Sequence, residues 1–280
     1  MDSLTALNRL PQHRSLLERA VARFRDDDRV PGLVLGGSLA LGGADFYSDV
    51  DLYVIVRDEA LDPVFAERDA AAQAIGSSLF RFTVEPVPGG SRDYIVTYPG
   101  PVKLDLMYYR ESEVEPGPKW EDRPVLKDDC GSVAEVVSRS AGFGPERPAP
   151  EVLVKLDQKF WTWCWYVFGK ILRGELWEAL DGLHTIRSLA LVPLLDRAAG
   201  RPHEGYRRLE RKLEPRTSSL LTATVASLQP GMLYAALQAE IALFRELRAI
   251  VFDRYGLTFD PKPGEIIEEE ISRRWAEDGS

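Results

Sequence analysis

The stretch DVDLYVIV, residues 49–56, limits what this chain can fold into more than any other. Its alternation and β-branched content favour a strand. On a strand Val50, Leu52, Val54 and Val56 share one face, and Asp49 and Asp51 share the other. Carboxylates at i and i+2 point the same way and repel, so the pair calls for a positive partner. Asp49 comes eleven residues after Ser38 of Gly36-Gly37-Ser38, itself preceded by the short apolar run LVL at 33–35.

The flanking segments supply the rest of an α/β unit. Residues 13–27 read as an amphipathic helix, with Leu16, Leu17, Val21 and Phe24 at helical spacing. LVL reads as a strand, residues 37–43 as the start of a helix with Ser38 near its N-terminus, and residues 62–78 as another helix. Three further strands are expected in FRFTVEP, DYIVTYP and VKLDLMYY. The order helix, strand, helix, strand, helix and three strands implies a mixed sheet. Residues 115–150 are rich in Pro, Gly and charge and read as a linker region. From residue 151 the periodicity is helical, with a break near Gly174, a long helix over 232–256 ended by Gly256, and a charged tail that is a short helix or a frayed end. The expected fold is α+β: a mixed-sheet domain over 1–114, the linker over 115–150 and a helical domain over 151–280.

Composition narrows the function. A length of 280 residues suits one large domain or two modest ones, and no apolar run reaches membrane-spanning length. The start, MDSLTALNRLPQHRSLLERA, has no signal-peptide core, and Cys130 and Cys164 make no disulfide framework, so a cytoplasmic protein is expected. A net charge of -9 disfavours generic binding to nucleic acid and suits a cationic small-molecule partner. The three histidines, His13, His184 and His203, are scattered, which argues against a histidine metal site. GGSLA is not the GxSxG nucleophile elbow, and no GxxxxGK[ST] loop is present.

In VKLDLMYY, Leu104 and Leu106 share a face, while Asp105 points with Lys103 and Met107. If this strand neighbours DVDLYVIV, three carboxylates converge. Hard divalent cations such as Mg²⁺ take such oxygen ligands together with substrate phosphates, and promote in-line displacement at phosphorus. Two glycines allow backbone amides to approach phosphate oxygens, and a helix beginning near Ser38 presents free N–H groups.

This pattern, GS followed after about ten residues by DxD with a later strand carrying one Asp, resembles the polymerase-β-type nucleotidyltransferase superfamily over residues 13–110. The segment KFWTWCWYVFGKILRGELWEALDGLHTIRSLALVPLL resembles the aminoglycoside 6-adenylyltransferases through Phe160, Trp161, Lys170, Arg173, Glu175 and Arg187. Residues 218–261 also resemble that family's closing helices. SSLFRFTVEPVPGGSRDYIVTYPG departs from it and looks more like other antibiotic-type nucleotidyltransferases, which leaves the acceptor open.

The resemblance implies a nucleotidyltransferase domain followed by a helical domain, and Mg²⁺-dependent transfer of AMP, or another nucleoside monophosphate, from ATP or another NTP to a hydroxyl. Asp49 and Asp51 would hold the metal and Asp105 would complete the site. Gly37 and Ser38 would grip phosphates, and Lys170 and Arg173 would bind the nucleotide. Glu85 or Asp105 would be the base. The implied acceptor is small and cationic, such as an aminoglycoside, which would make the chain an antibiotic-resistance enzyme. The alternatives are an RNA- or protein-modifying transferase of the toxin–antitoxin type, which the acidic balance disfavours, and a catalytically idle nucleotide-binding module, which the intact carboxylate set disfavours.

Overall fold

A computed structural model describes residues 7–85, 90–143 and 147–278. The chain divides into two compact units, Met1–Phe143 and Gly144–Ser280. The first runs α1 (Pro11–Arg25), β1 (Gly32–Leu35), α2 (Gly37–Ala40), β2 (Val50–Val56), α3 (Leu61–Ala66), α4 (Arg68–Ile75), β3 (Phe80–Thr83), β4 (Arg92–Tyr98), β5 (Val102–Arg110), β6 (Val125–Asp128) and α5 (Ser132–Arg139). The strands form one six-stranded sheet in the order β3-β4-β5-β2-β1-β6. Among the described residues only the central β2–β5 pair is parallel; the other four pairings are antiparallel.

The alternation of β2 becomes two cores. Val50, Leu52, Val54 and Val56 pack with Leu16, Leu17, Ala20 and Phe24 of α1 on one face of the sheet. Tyr53 and Ile55 pack on the other face with Val34, Tyr109, Trp120 and Val133. Fully burying one such aliphatic side chain contributes about 1.5–3 kcal/mol. Five of them in β2 outweigh the few kcal/mol that crowding carboxylates at its mouth costs at the effective dielectric of a half-buried site. Helix α1 also fixes the approach to β2: buried His13 meets the Ser48 carbonyl through Nε2 at 2.8 Å, one residue before Asp49.

Sequence and structure differ in three places. The helix expected from residue 37 is a single turn. The helix expected over 62–78 is two helices that meet at Glu67. Residues 115–143, read from composition as linker, belong to the first unit, where Trp120 enters a core and β6 forms a sheet edge. β6 has half-buried residues throughout and carries Lys127 and Asp128, so it lacks the apolar run that marks an inner strand.

The second unit is helical: α6 (Pro150–Leu172), α7 (Leu176–Ile186), α8 (Val192–Ala199), α9 (Pro215–Thr222), α10 (Pro230–Tyr255) and α11 (Lys262–Asp278). The expected break near Gly174 and stop at Gly256 both fall at left-handed glycines, with φ of 71° and 67°. The charged tail is a full helix, anchored by buried Ile271. A π turn over Arg187–Leu191 joins α7 to α8. No helix among the described residues is long and apolar enough to cross a membrane.

Candidate active site

The parallel register sets Asp51 directly opposite Asp105 and Val50 opposite Leu104. Neighbours across a ladder share a face, so Asp51 and Asp105 stand on the same side of the sheet. Asp49, one residue before β2, joins them through Lys103, whose ammonium lies 2.9 Å from Asp49 Oδ2 and 3.1 Å from Asp105 Oδ2. Asp105 is buried, at 8% exposure. Burial raises its pKa to about 6; Lys103 pulls it down, while the charges of Asp51 and Asp49 push it up. Its Oδ1 is buried and has no hydrogen-bond partner.

The Gly-Gly-Ser segment closes on the same carboxylates. Gly36 N–H donates to the Asp51 carbonyl at 2.8 Å, tying the end of β1 to the mouth of β2. Gly37 has φ +58°, and a Cβ there would lie 1.7 Å from Asp51 Oδ2. The Asp51 carboxylate is therefore seated against the bare Cα of Gly37. Ser38 is half-buried in the first turn of α2, a helix of four residues whose dipole is that of a few peptide units. Arg123, from the segment read as linker, donates from Nη1 to the Gly37 carbonyl at 3.3 Å.

The other sequence candidates sit on other elements. Glu85 lies two residues beyond β3, exposed, with no hydrogen bond or ion pair to any described residue. Lys170 and Arg173 belong to the second unit. There Lys170 and Arg173 Nε both bond to Glu175, the latter at 2.9 Å, and the Glu175 contact raises the Lys170 pKa. Of the aromatics carrying the resemblance, Phe160 and Trp161 are core residues. Arg187 is buried and bonds to Glu240 at 3.1 Å.

The residues around Asp51 and Asp105 fit a hard divalent cation. Their donors are all carboxylate oxygens, they share a face, and one buried acceptor, Asp105 Oδ1, lacks a donor. As they stand, no three His, Cys, Asp or Glu side chains among the described residues are grouped to hold a metal ion. The Lys103 ammonium lies between two of the three aspartates instead.

A sequence model of streptomycin adenylyltransferase matches residues 12–272, nearly the whole chain. The chain belongs to the streptomycin adenylyltransferase family. As a family member it is a nucleotidyltransferase, built as one mixed six-stranded sheet followed by a helical C-terminal part. Solved structures similar to it include an aminoglycoside 6-adenyltransferase from Bacillus subtilis, at 17% identity and TM-score 0.47, covering 92% of this chain and 97% of that one. A nucleotidyltransferase-like protein from Exiguobacterium sibiricum 255-15 is 12% identical at TM-score 0.39, covering 85% of this chain and 77% of that one. A CCA-adding enzyme is 16% identical at TM-score 0.28, covering 92% of this chain and 68% of that one. No curated protein matches the chain.

Two residues at the site escaped the sequence reading. Lys103 was visible only as a same-face neighbour of Asp105, because its second partner, Asp49, depends on strand register. Arg123 sits in a stretch whose composition hides its structure, and no spacing signal marks it.

Proposed function

We propose that the chain transfers AMP from ATP to a hydroxyl of an aminoglycoside, with streptomycin the first choice, in a Mg²⁺-dependent reaction at the Asp49–Asp51–Asp105 face. The observation that carries this reading is the placement of Asp51 opposite Asp105, with Gly37 packed against the Asp51 carboxylate. Asp49, Asp51 and Asp105 would hold the metal, which, when bound, neutralises charge on the phosphates and on the departing pyrophosphate. Gly37 and Ser38 orient the nucleotide through backbone amides. Lys170 and Arg173, which share Glu175 in the second unit, remain the further candidates for binding the nucleotide.

The acceptor oxygen forms a bond to the α-phosphorus, the α–β anhydride bond breaks, and pyrophosphate leaves. The hydroxyl proton goes to a general base, for which Asp105 is the candidate within the cluster. Glu85, the other candidate base, has no bond to the cluster. Most of the catalysis is positioning and charge neutralisation.

The test incubates the protein with Mg²⁺-ATP and a panel of aminoglycosides, lincosamides and RNA, and searches by mass spectrometry for an added AMP. Streptomycin or a close relative should carry it, and Asp51→Asn should abolish it. Glu85→Gln should stay near wild type. Modification of RNA or of a neutral drug alone would overturn the acceptor assignment.

A further inference from the structure

We propose that the Lys103 ammonium is the resident counter-cation of the carboxylate site: it holds Asp49 and Asp105 together in the metal-free protein, and a divalent cation must displace it to bind. This rests on the reading of Asp49, Asp51 and Asp105 as the metal-holding set.

The sheet register makes this arrangement hard to avoid. β2 and β5 run parallel, with Val50 opposite Leu104 and Asp51 opposite Asp105. Asp49 and Lys103 each precede one of these pairs, so the four side chains form two rungs on one face: acid beside base, then acid beside acid. Lys103 and Asp105 are i and i+2 on one strand and point the same way. The ammonium has three donors and spends two on Asp49 Oδ2 and Asp105 Oδ2, at 2.9 and 3.1 Å. Those oxygens are among the ones a metal would need. Asp105 Oδ1 stays buried and without a partner, so the lysine satisfies the site only in part.

Lys103 is also able to leave. Its side chain is 37% exposed, while that of Asp105 is 11% exposed. A compact ammonium on a flexible four-carbon stem can swing into water at little cost. The buried carboxylate left behind cannot follow it. Metal binding therefore exchanges one cation for another, and metal affinity in the absence of nucleotide is set partly by the lysine.

The test uses Mn²⁺ alone, titrated into the metal-free full chain without nucleotide and followed by electron paramagnetic resonance of free Mn²⁺. Thermal melts in chelator run in parallel. Lys103→Met should bind Mn²⁺ about tenfold more tightly than wild type, because a unit charge at contact distance is removed. It should melt a few degrees lower in chelator, and the gap should close at saturating Mn²⁺. Lys103→Arg keeps the charge and should stay near wild type in both measurements. Should Lys103→Met fail to fold, Lys103→Gln carries the same comparison. If Asp51→Asn loses Mn²⁺ but Lys103→Met matches wild type in affinity and melting, the lysine inference is overturned while the metal site stands. If Asp51→Asn binds Mn²⁺ as wild type does, the carboxylate reading falls and the inference falls with it.

Discussion

At Gly37 a single hydrogen atom leaves the space that the Asp51 carboxylate fills. A methyl group there would overlap Asp51 Oδ2. The left-handed φ would add about 1–2 kcal/mol of strain for any L-residue. Gly37→Ala should therefore cost turnover far more than folding. Displacing a catalytic group by an ångström can cost about 10²-fold, so a loss of that order is expected, with a small drop in melting temperature. Steady-state assays and thermal melts check both halves. Asp105 gives a pH signature of its own. Its folded pKa, about 6, lies above the unfolded value of about 3.9. Its contribution to stability is therefore fully present below about pH 4 and is lost as pH rises through about 6. In chelator, the melting temperature of Asp105→Asn minus that of wild type should increase from pH 4 to 7; a flat or falling difference would contradict the assignment. The aspartates were legible in the sequence because period-two alternation fixes which face a strand residue takes. The tie from Lys103 to Asp49 was not, because it depends on which residue of one strand stands beside which residue of another.

Among the elements, the parallel β2–β5 pair matters most, since it alone brings Asp51 beside Asp105. The two strands were readable from their alternating apolar faces; their pairing and its register were not. β6 was hidden for a physical reason: a short, half-buried edge strand needs no continuous apolar run, so its Lys and Asp look like loop. The one-turn length of α2 was equally illegible, because the Gly-Gly-Ser signal marks a helix start and says nothing about where it stops. The π turn between α7 and α8 holds another local arrangement. There Arg187 reaches the fully buried Glu240 and the Thr224 carbonyl. Burial pushes the Glu240 pKa well up, and Arg187 counters it. Removing one partner of such a pair strands the other. Arg187→Met should destabilise the protein by about 3–5 kcal/mol, read from the urea unfolding midpoint. The double variant Arg187→Met/Glu240→Leu should recover most of that loss. If the single variant were neutral, Arg187 would not be the structural residue its burial implies.

For the molecule as a whole, the excess of acid over base bears on the acceptor. A net charge of -9 attracts guanidinium and ammonium groups, and exposed charges are screened beyond about 8 Å at physiological salt. The apparent affinity for a cationic acceptor should therefore weaken steadily as ionic strength rises; an affinity indifferent to salt would remove charge as the basis of selection. The two halves of the chain were legible to different degrees. The helical half declared itself through long periodic runs and two glycine stops. The sheet half declared five of its strands, the edge strand β3 among them, but not β6 at the other edge. The central claim is that the face bearing Asp49, Asp51 and Asp105 carries out nucleotidyl transfer. Its most direct test is pyrophosphate release from Mg²⁺-ATP and streptomycin, measured for wild type and for Asp51→Asn after circular dichroism has shown both to be folded. The account predicts release by wild type and a loss of at least about 10²-fold in the variant. Comparable release by the two proteins would contradict it.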